Sequence, residues 1–362
     1  MSPAGDPLAS LRAGFPALER LAYLNSGSNG PAPAEGIAAA RAELERQAER
    51  GRGRAHFERR AELARALRGV YAGLLGADPG EVALTTATSD GLARVIAGLG
   101  LGRGDEIVTS DQEHPGLLGP LAVLRSRGAR VLVAPLAEVA NAAGPRTRLV
   151  ACSHVSWVGG ETAPPEISEL DAPVMLDGAQ GVGAVAVDVA ALGCDAYAGA
   201  GQKWLCGPDG TGMLHLSPAL RERLDVPGPG YVNLADAGAG LEAAPHDDAR
   251  ALDAPALPAE GLAFALAAAG VLATPGWDAL HARAAGLAAS LAERLRERGR
   301  EVLPRGATTL VAWRDERAAE TVERLAAAGV VVRELPGRGL VRASVGAWND
   351  EQDLERLLAG LG

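Results

Sequence analysis

Asp177 closes a short apolar run, Val174-Met175-Leu176, and Lys203 follows a second one, Ala196–Gly199, in the stretch Gly199-Ala200-Gly201-Gln202-Lys203-Trp204. Lys203 is the sole lysine in a chain whose lysines and arginines total 35. Arginine replaces a surface lysine at little cost. It cannot replace an amine that must lose its proton and bond to carbon, because guanidinium stays charged and is a poor nucleophile. A chance survivor on the surface is the bland alternative, and the neighbours decide between the two. Both residues would emerge at the carboxyl edge of adjacent strands, where open α/β sheets hold their ligands. An acid and a lysine so placed suit pyridoxal phosphate: the amine condenses with the cofactor aldehyde, and the acid keeps the pyridine nitrogen protonated so that the ring accepts electrons. A buried ion pair is the structural alternative, although the glycines around both residues leave little bulk to bury one.

Other residues add to this. Thr85-Thr86-Ala87-Thr88-Ser89-Asp90 joins a strand to a helix. The unpaired amides of a helix start attract a phosphate, with the Thr88 and Ser89 hydroxyls beside them, although such residues also serve as plain caps. His114 ends the next strand, where an imidazole can stack on a flat ring or move protons, or can simply be solvated. His154, in Ser153-His154-Val155-Ser156-Trp157, is either a cofactor contact or a packed loop residue. Arg342 lies on a strand near the C-terminus. An inward strand arginine needs an anion, such as a substrate carboxylate held in bidentate fashion or an internal acid.

These residues need a scaffold of alternating strands and helices. Ala34–Leu75 has helical spacing, and short runs at 82–85, 106–110, 130–133, 149–153, 174–176 and 196–199 read as strands between helical patterns. Small apolar runs of this kind are buried in a parallel or mixed sheet covered on both faces. After a strand at 213–216, the Ala/Asp/Gly-rich stretch 235–253 reads as a linker. Two helices then precede a strand–helix–strand–strand–helix unit, with a strand over 330–334 and a last helix whose capping pair is read as Asn349 and Gln352. The chain has 362 residues and a net charge of −10, which disfavours nucleic acid or an anionic membrane as partner. No segment has the apolar length of a membrane span, and the first residues lack a signal-peptide pattern. Three widely spaced cysteines argue against a disulfide framework or a thiolate metal site, so a cytoplasmic protein is expected. No segment beyond the first few residues reads as disordered.

Taken in order, Tyr23-Leu24-Asn25-Ser26-Gly27, Thr85–Asp90, Glu113-His114-Pro115, Ser153–Trp157, Asp177-Gly178-Ala179-Gln180, Gln202–Pro208 and Arg342-Ala343-Ser344-Val345 resemble the class V aminotransferases. These fold-type I pyridoxal phosphate enzymes include cysteine desulfurases, carbon–sulfur lyases and isopenicillin N epimerase-like proteins. The resemblance implies an α/β fold: a large domain with a seven-stranded, mostly parallel sheet over residues 21–257, and a connecting helix with a smaller α+β domain over 258–362. Residues 1–20 form an N-terminal segment. It implies Lys203 as the lysine bonded to the cofactor, Asp177 as the pyridinium partner and His114 as the stacking residue. Gln180 falls near the phenolic oxygen, while Ala87, Thr88, Ser89 and Gln202 fall around the phosphate. His154 and Trp157 fall within the cofactor's surroundings, and Arg342, Asn25 and Gly27 on the substrate side. A homodimer is implied too, because relatives complete the phosphate site from the partner, although the segment near Asp253-Ala254-Pro255 lacks the usual threonine. Many relatives have Ser-Gly-His where this chain has Ala200-Gly201-Gln202. Trp157 replaces a common Asn and, with Glu113-His114-Pro115-Gly116, resembles the cystine carbon–sulfur lyase branch.

Desulfurases use a mobile cysteine in the C-terminal half. Here no cysteine follows Cys206, and the loop Leu335-Pro336-Gly337-Arg338-Gly339 carries no thiol. The expected chemistry is therefore Cα proton abstraction by Lys203 and β-elimination of a sulfur substituent, with transamination and epimerisation as alternatives that share the first step. A nucleotide-binding module without catalysis is disfavoured, since neither GxGxxG nor a Walker lysine motif is present.

Overall fold

The structure, a computed structural model, describes residues 7–362. The signal-peptide and disorder readings of Met1–Asp6 lie outside the described residues. The strands at 82–85, 106–110, 174–177, 196–200 and 212–216 are buried along their whole length, as strands of a sheet covered on both faces must be. They belong to one seven-stranded sheet in the order Val82–Thr85, Gly212–Leu216, Ala196–Ala200, Val174–Asp177, Thr147–Ser153, Glu106–Ser110, Arg130–Ala134. Gly212–Leu216 runs antiparallel to both neighbours, and the other pairs are parallel. Five strand ends, Thr85, Ser110, Ser153, Asp177 and Ala200, therefore meet along one edge.

Each face is closed by helices whose apolar stripes match it. Leu63, Leu67, Tyr71 and Leu75 of helix Arg54–Leu75 join Leu262, Ala263 and Ala265 of helix Ala259–Ala273 on one side. Leu92, Val95 and Ile96 of Thr88–Gly98 and Leu117, Leu121 and Leu124 of Pro115–Ser126 cover the other. The C-terminal unit is a three-stranded antiparallel sheet ordered Arg333–Leu335, Leu340–Ser344, Leu310–Arg314, packed on helices 277–297, 318–327 and 351–361. Among the described residues no single helix is long and apolar enough to cross a membrane.

The structure departs from the sequence expectations in four places. The helical span 34–75 is two helices, Ala34–Arg50 and Arg54–Leu75, broken at Gly51, whose φ of +69° favours glycine. The expected strand 330–334 divides at Val332. Val330–Val331 pairs in parallel with Ala22–Tyr23, whereas Arg333–Leu335 pairs with Leu340–Ser344. Ala22 and Leu24 thus lie in the C-terminal unit's core, on the far side of the boundary drawn at residue 21. The last helix is capped by Asp350, which accepts from the Asp353 amide, and not by Asn349 with Gln352. Asn349 instead donates from Nδ2 to Tyr23 O at 3.0 Å, tying the helix start to the N-terminal strand.

Candidate active site

A cavity of about 450 Å³ opens where the five strand ends face the C-terminal unit. Asp177 and Lys203 both line it. The turn after Asp177 is tight because Gly178 lies against the ring of Tyr197: a Cβ there would come within 2.1 Å of Tyr197 Cε1. The Asp177 carboxylate accepts from the Ala179 amide at 2.9 Å and is buried at the cavity floor. Burial raises its pKa, opposed by the Lys203 charge and the Ala179 amide. Lys203 shows part of its surface to the cavity and is otherwise surrounded by protein. Burial, helped by the charges of Arg342 and Arg333, lowers its pKa to about 8 against the pull of Asp177. Compared with an ordinary lysine, far more of the amine is then neutral near pH 7.

The helix Thr88–Gly98 begins at this cavity. Its N-cap, Ala87, makes no side-chain cap bond, so the first-turn amides remain open to a ligand. Thr88 Oγ1 and Gln202 Oε1 are buried without a hydrogen-bond partner, and Ala87, Ser89 and Ala200 line the same end. Open amides with orphaned polar side chains fit a phosphate. His114 caps the next helix, its Nδ1 accepting from the Gly116 amide at 3.1 Å. Its pKa falls to about 4, through burial first and then the charges of Lys203, Arg333 and Arg342. The ring is therefore neutral near pH 7, a flat face for stacking and not a cation. It meets Trp157 edge-on at 5.1 Å, and Arg338 lies over the Trp157 ring at 5.6 Å.

The opposite wall carries cations. Arg342 is fully buried. Its Nη1 donates to Trp157 O at 2.6 Å, while Nε and Nη2 have no partner among the described residues. Burial lowers its pKa to about 9. A second arginine, Arg333, also lines the cavity and sits opposite Arg342 in the antiparallel register. Like charges so placed destabilise a sheet unless an anion lies between them. Gly27 packs against this guanidinium, and a Cβ there would approach Arg342 Nη2 to 2.8 Å. Gln180 donates to Gly27 O at 2.8 Å and accepts from Trp204 Nε1 at 3.0 Å, which locks its amide in the wall. Asn25 lines the mouth.

The cavity thus gathers every expected site residue except His154. That side chain lies behind the wall, buried, with Nδ1 3.0 Å from Tyr197 Oη. It was expected near the cofactor, but the residue after strand Thr147–Ser153 points into the packing between that strand and Tyr197. Arg333 was missed, as were Tyr23, Ser28 and Asn29. Arg333 sits beside a run of valines that reads as core, and only its pairing with Arg342 reveals the shared direction.

The sequence model described as Aminotransferase class-V matches residues 22–357. Curated relatives include isopenicillin N epimerase of Streptomyces clavuligerus, 34% identical over 42% of each chain. A cysteine desulfurase of Klebsiella pneumoniae is 36% identical over 57% of each. The alignments thus span about half the length of these relatives. Among solved structures, a cystine C–S lyase in complex with its reaction product cysteine persulfide superimposes with a TM-score of 0.90 at 26% identity, covering 96% of this chain and 98% of that one. A cysteine desulfurase of Escherichia coli gives 0.85 at 25% identity, covering 98% and 97%.

Proposed function

The chain belongs to the class V aminotransferase family, and on that premise we propose that it is a pyridoxal phosphate enzyme that eliminates a sulfur substituent from Cβ of an amino acid. The observation that carries this reading is the sole lysine, its pKa lowered to about 8, sharing one cavity with the buried Asp177 and an uncapped helix start. The site fits the cofactor: Lys203 would bond its aldehyde, Asp177 would face its ring nitrogen, His114 its ring, and Thr88, Ser89 and Gln202 its phosphate. When bound, pyridoxal phosphate supplies a carbonyl that exchanges amines and a ring that takes up the electron pair left at Cα.

The remaining chemistry belongs to the chain. Arg342 directs unpaired Nε and Nη2 at the substrate carboxylate, with Arg333 beside it, and so fixes which Cα bond faces Lys203. With the cofactor bound, neutral Lys203 Nζ would take the proton from Cα. The sulfur group then leaves Cβ with its electron pair, and hydrolysis yields pyruvate and ammonia. Asp177 stays ionised throughout, holding positive charge opposite it.

Elimination is favoured over persulfide transfer to the enzyme because Cys152, Cys194 and Cys206 are all buried. The hairpin turn between Leu335 and Leu340 presents Arg338 to the cavity wall and no thiol. The similarity to a cystine C–S lyase over nearly the whole chain supports the same choice. The purified protein incubated with cystine should release pyruvate and ammonia in equal amounts. A keto acid formed once per subunit, with the cofactor left as its amine, would replace this reading by transamination. Loss of substrate chirality without pyruvate would replace it by epimerisation.

We further propose a homodimer, supported by the large apolar side chains Leu44, Phe57, Tyr231 and Leu241 left exposed on helices 34–50 and 54–75 and on the 231–242 segment. Three free cysteines fit the reducing cytoplasm.

A further inference from the structure

One buried acid has no place in that mechanism. Glu113 is 2% exposed and lies one residue before His114. Its carboxylate receives the Ser110 hydroxyl, the Ser153 amide at 2.9 Å and the Ser153 hydroxyl at 2.7 Å. Ser110 and Ser153 end adjacent strands, and Ser153 is the register partner of Asp177. Among the described residues no ion pair joins Glu113.

Resting on the cofactor assignment above, we propose that Glu113 is a positioning residue: it clamps the segment carrying His114 and shares one desolvated field with Asp177, so that its proton is linked to the charge Asp177 holds on the ring nitrogen. Two carboxylates in one buried region do not ionise independently. Asp177 has the Lys203 charge and an amide on its side, whereas Glu113 has neutral donors only. The first proton therefore belongs to Glu113. Besides Asp177, the titratable group that feels its charge is Cys152, whose thiol burial holds neutral. Burial raises the Glu113 pKa to about 7, with the Asp177 charge adding to it. As pH rises through neutrality, Glu113 gains a negative charge that strengthens the potential holding a proton on the ring.

The test is the absorbance of the cofactor-loaded enzyme titrated across neutral pH. The wild type should show a transition near pH 7, and Glu113→Gln should lose it. Ser110→Ala removes one donor to the ionised form and should move the midpoint upward. A Glu113→Gln profile superimposable on the wild type overturns the proposal. Should that variant fail to fold, an unmoved midpoint in Ser110→Ala overturns it instead. A wild-type protein that takes up no pyridoxal phosphate removes the cofactor reading, and this inference with it. A coloured wild type with unaltered variants removes this inference alone.

Discussion

At the scale of single residues, the lowered pKa that would fit Lys203 for the proposed catalysis costs stability. An amine whose folded pKa of about 8 lies below its unfolded value carries a penalty that is absent above the unfolded value, grows as pH falls between the two and is complete below about 8. Lys203→Met should raise Tm of the cofactor-free protein at neutral pH by a few degrees, while abolishing colour and pyruvate formation. Thermal melts paired with absorbance spectra check both. The same value predicts that uptake of pyridoxal phosphate by cofactor-free wild type accelerates with pH and levels off above about 8, as stopped-flow absorbance would show. Arg342→Ala should raise KM by roughly 10²-fold, the worth of a charge-assisted bidentate contact. Arg342→Lys should restore little, because one ammonium cannot replace two parallel donors. A KM unchanged in steady-state assays would remove Arg342 from carboxylate binding.

At the scale of elements, the helix start at Thr88 suits the proposed phosphate because no side chain caps it. Ala87 has the extended backbone of an N-cap, φ −169° and ψ 166°, yet no side chain able to cap. Ala87→Asp should stabilise the cofactor-free protein by about 0.5–2 kcal/mol and weaken pyridoxal phosphate binding, since the new carboxylate claims the phosphate's donors. Chemical denaturation and cofactor titration should move in opposite directions; movement in the same direction would show that the amides are not the phosphate site. The strand ends bearing Asp177 and Lys203 were legible because short, small, wholly buried runs mark a covered parallel sheet. Gly51's break in the long helix, the Asp350 cap and the change of strand partner at Val332 were not, because each is settled by tertiary bonding that local patterns do not encode. Arg333 and His154 failed for the same reason: periodicity places a residue on a strand or after it, but the direction of a side chain at a strand end depends on the neighbour it packs against.

At the scale of the molecule, residues 22–24 are stitched into the C-terminal core while residues 25–29 run on to the cavity mouth. The chain thereby joins the two units through the site itself. The exposed Phe57, Tyr231 and Leu241 lie outside that joint, and Phe57→Glu should convert the proposed dimer to a monomer in sedimentation analysis; a wild type that sediments as a monomer would refute that proposal. One consequence follows from having a single ε-amine and seating it in the cavity. Amine-directed reagents meet no competing side chain elsewhere on this surface. An activated ester small enough to enter would mark cavity occupancy at Lys203, and enzymatic lysine acylation would have no side-chain target on this chain except that residue.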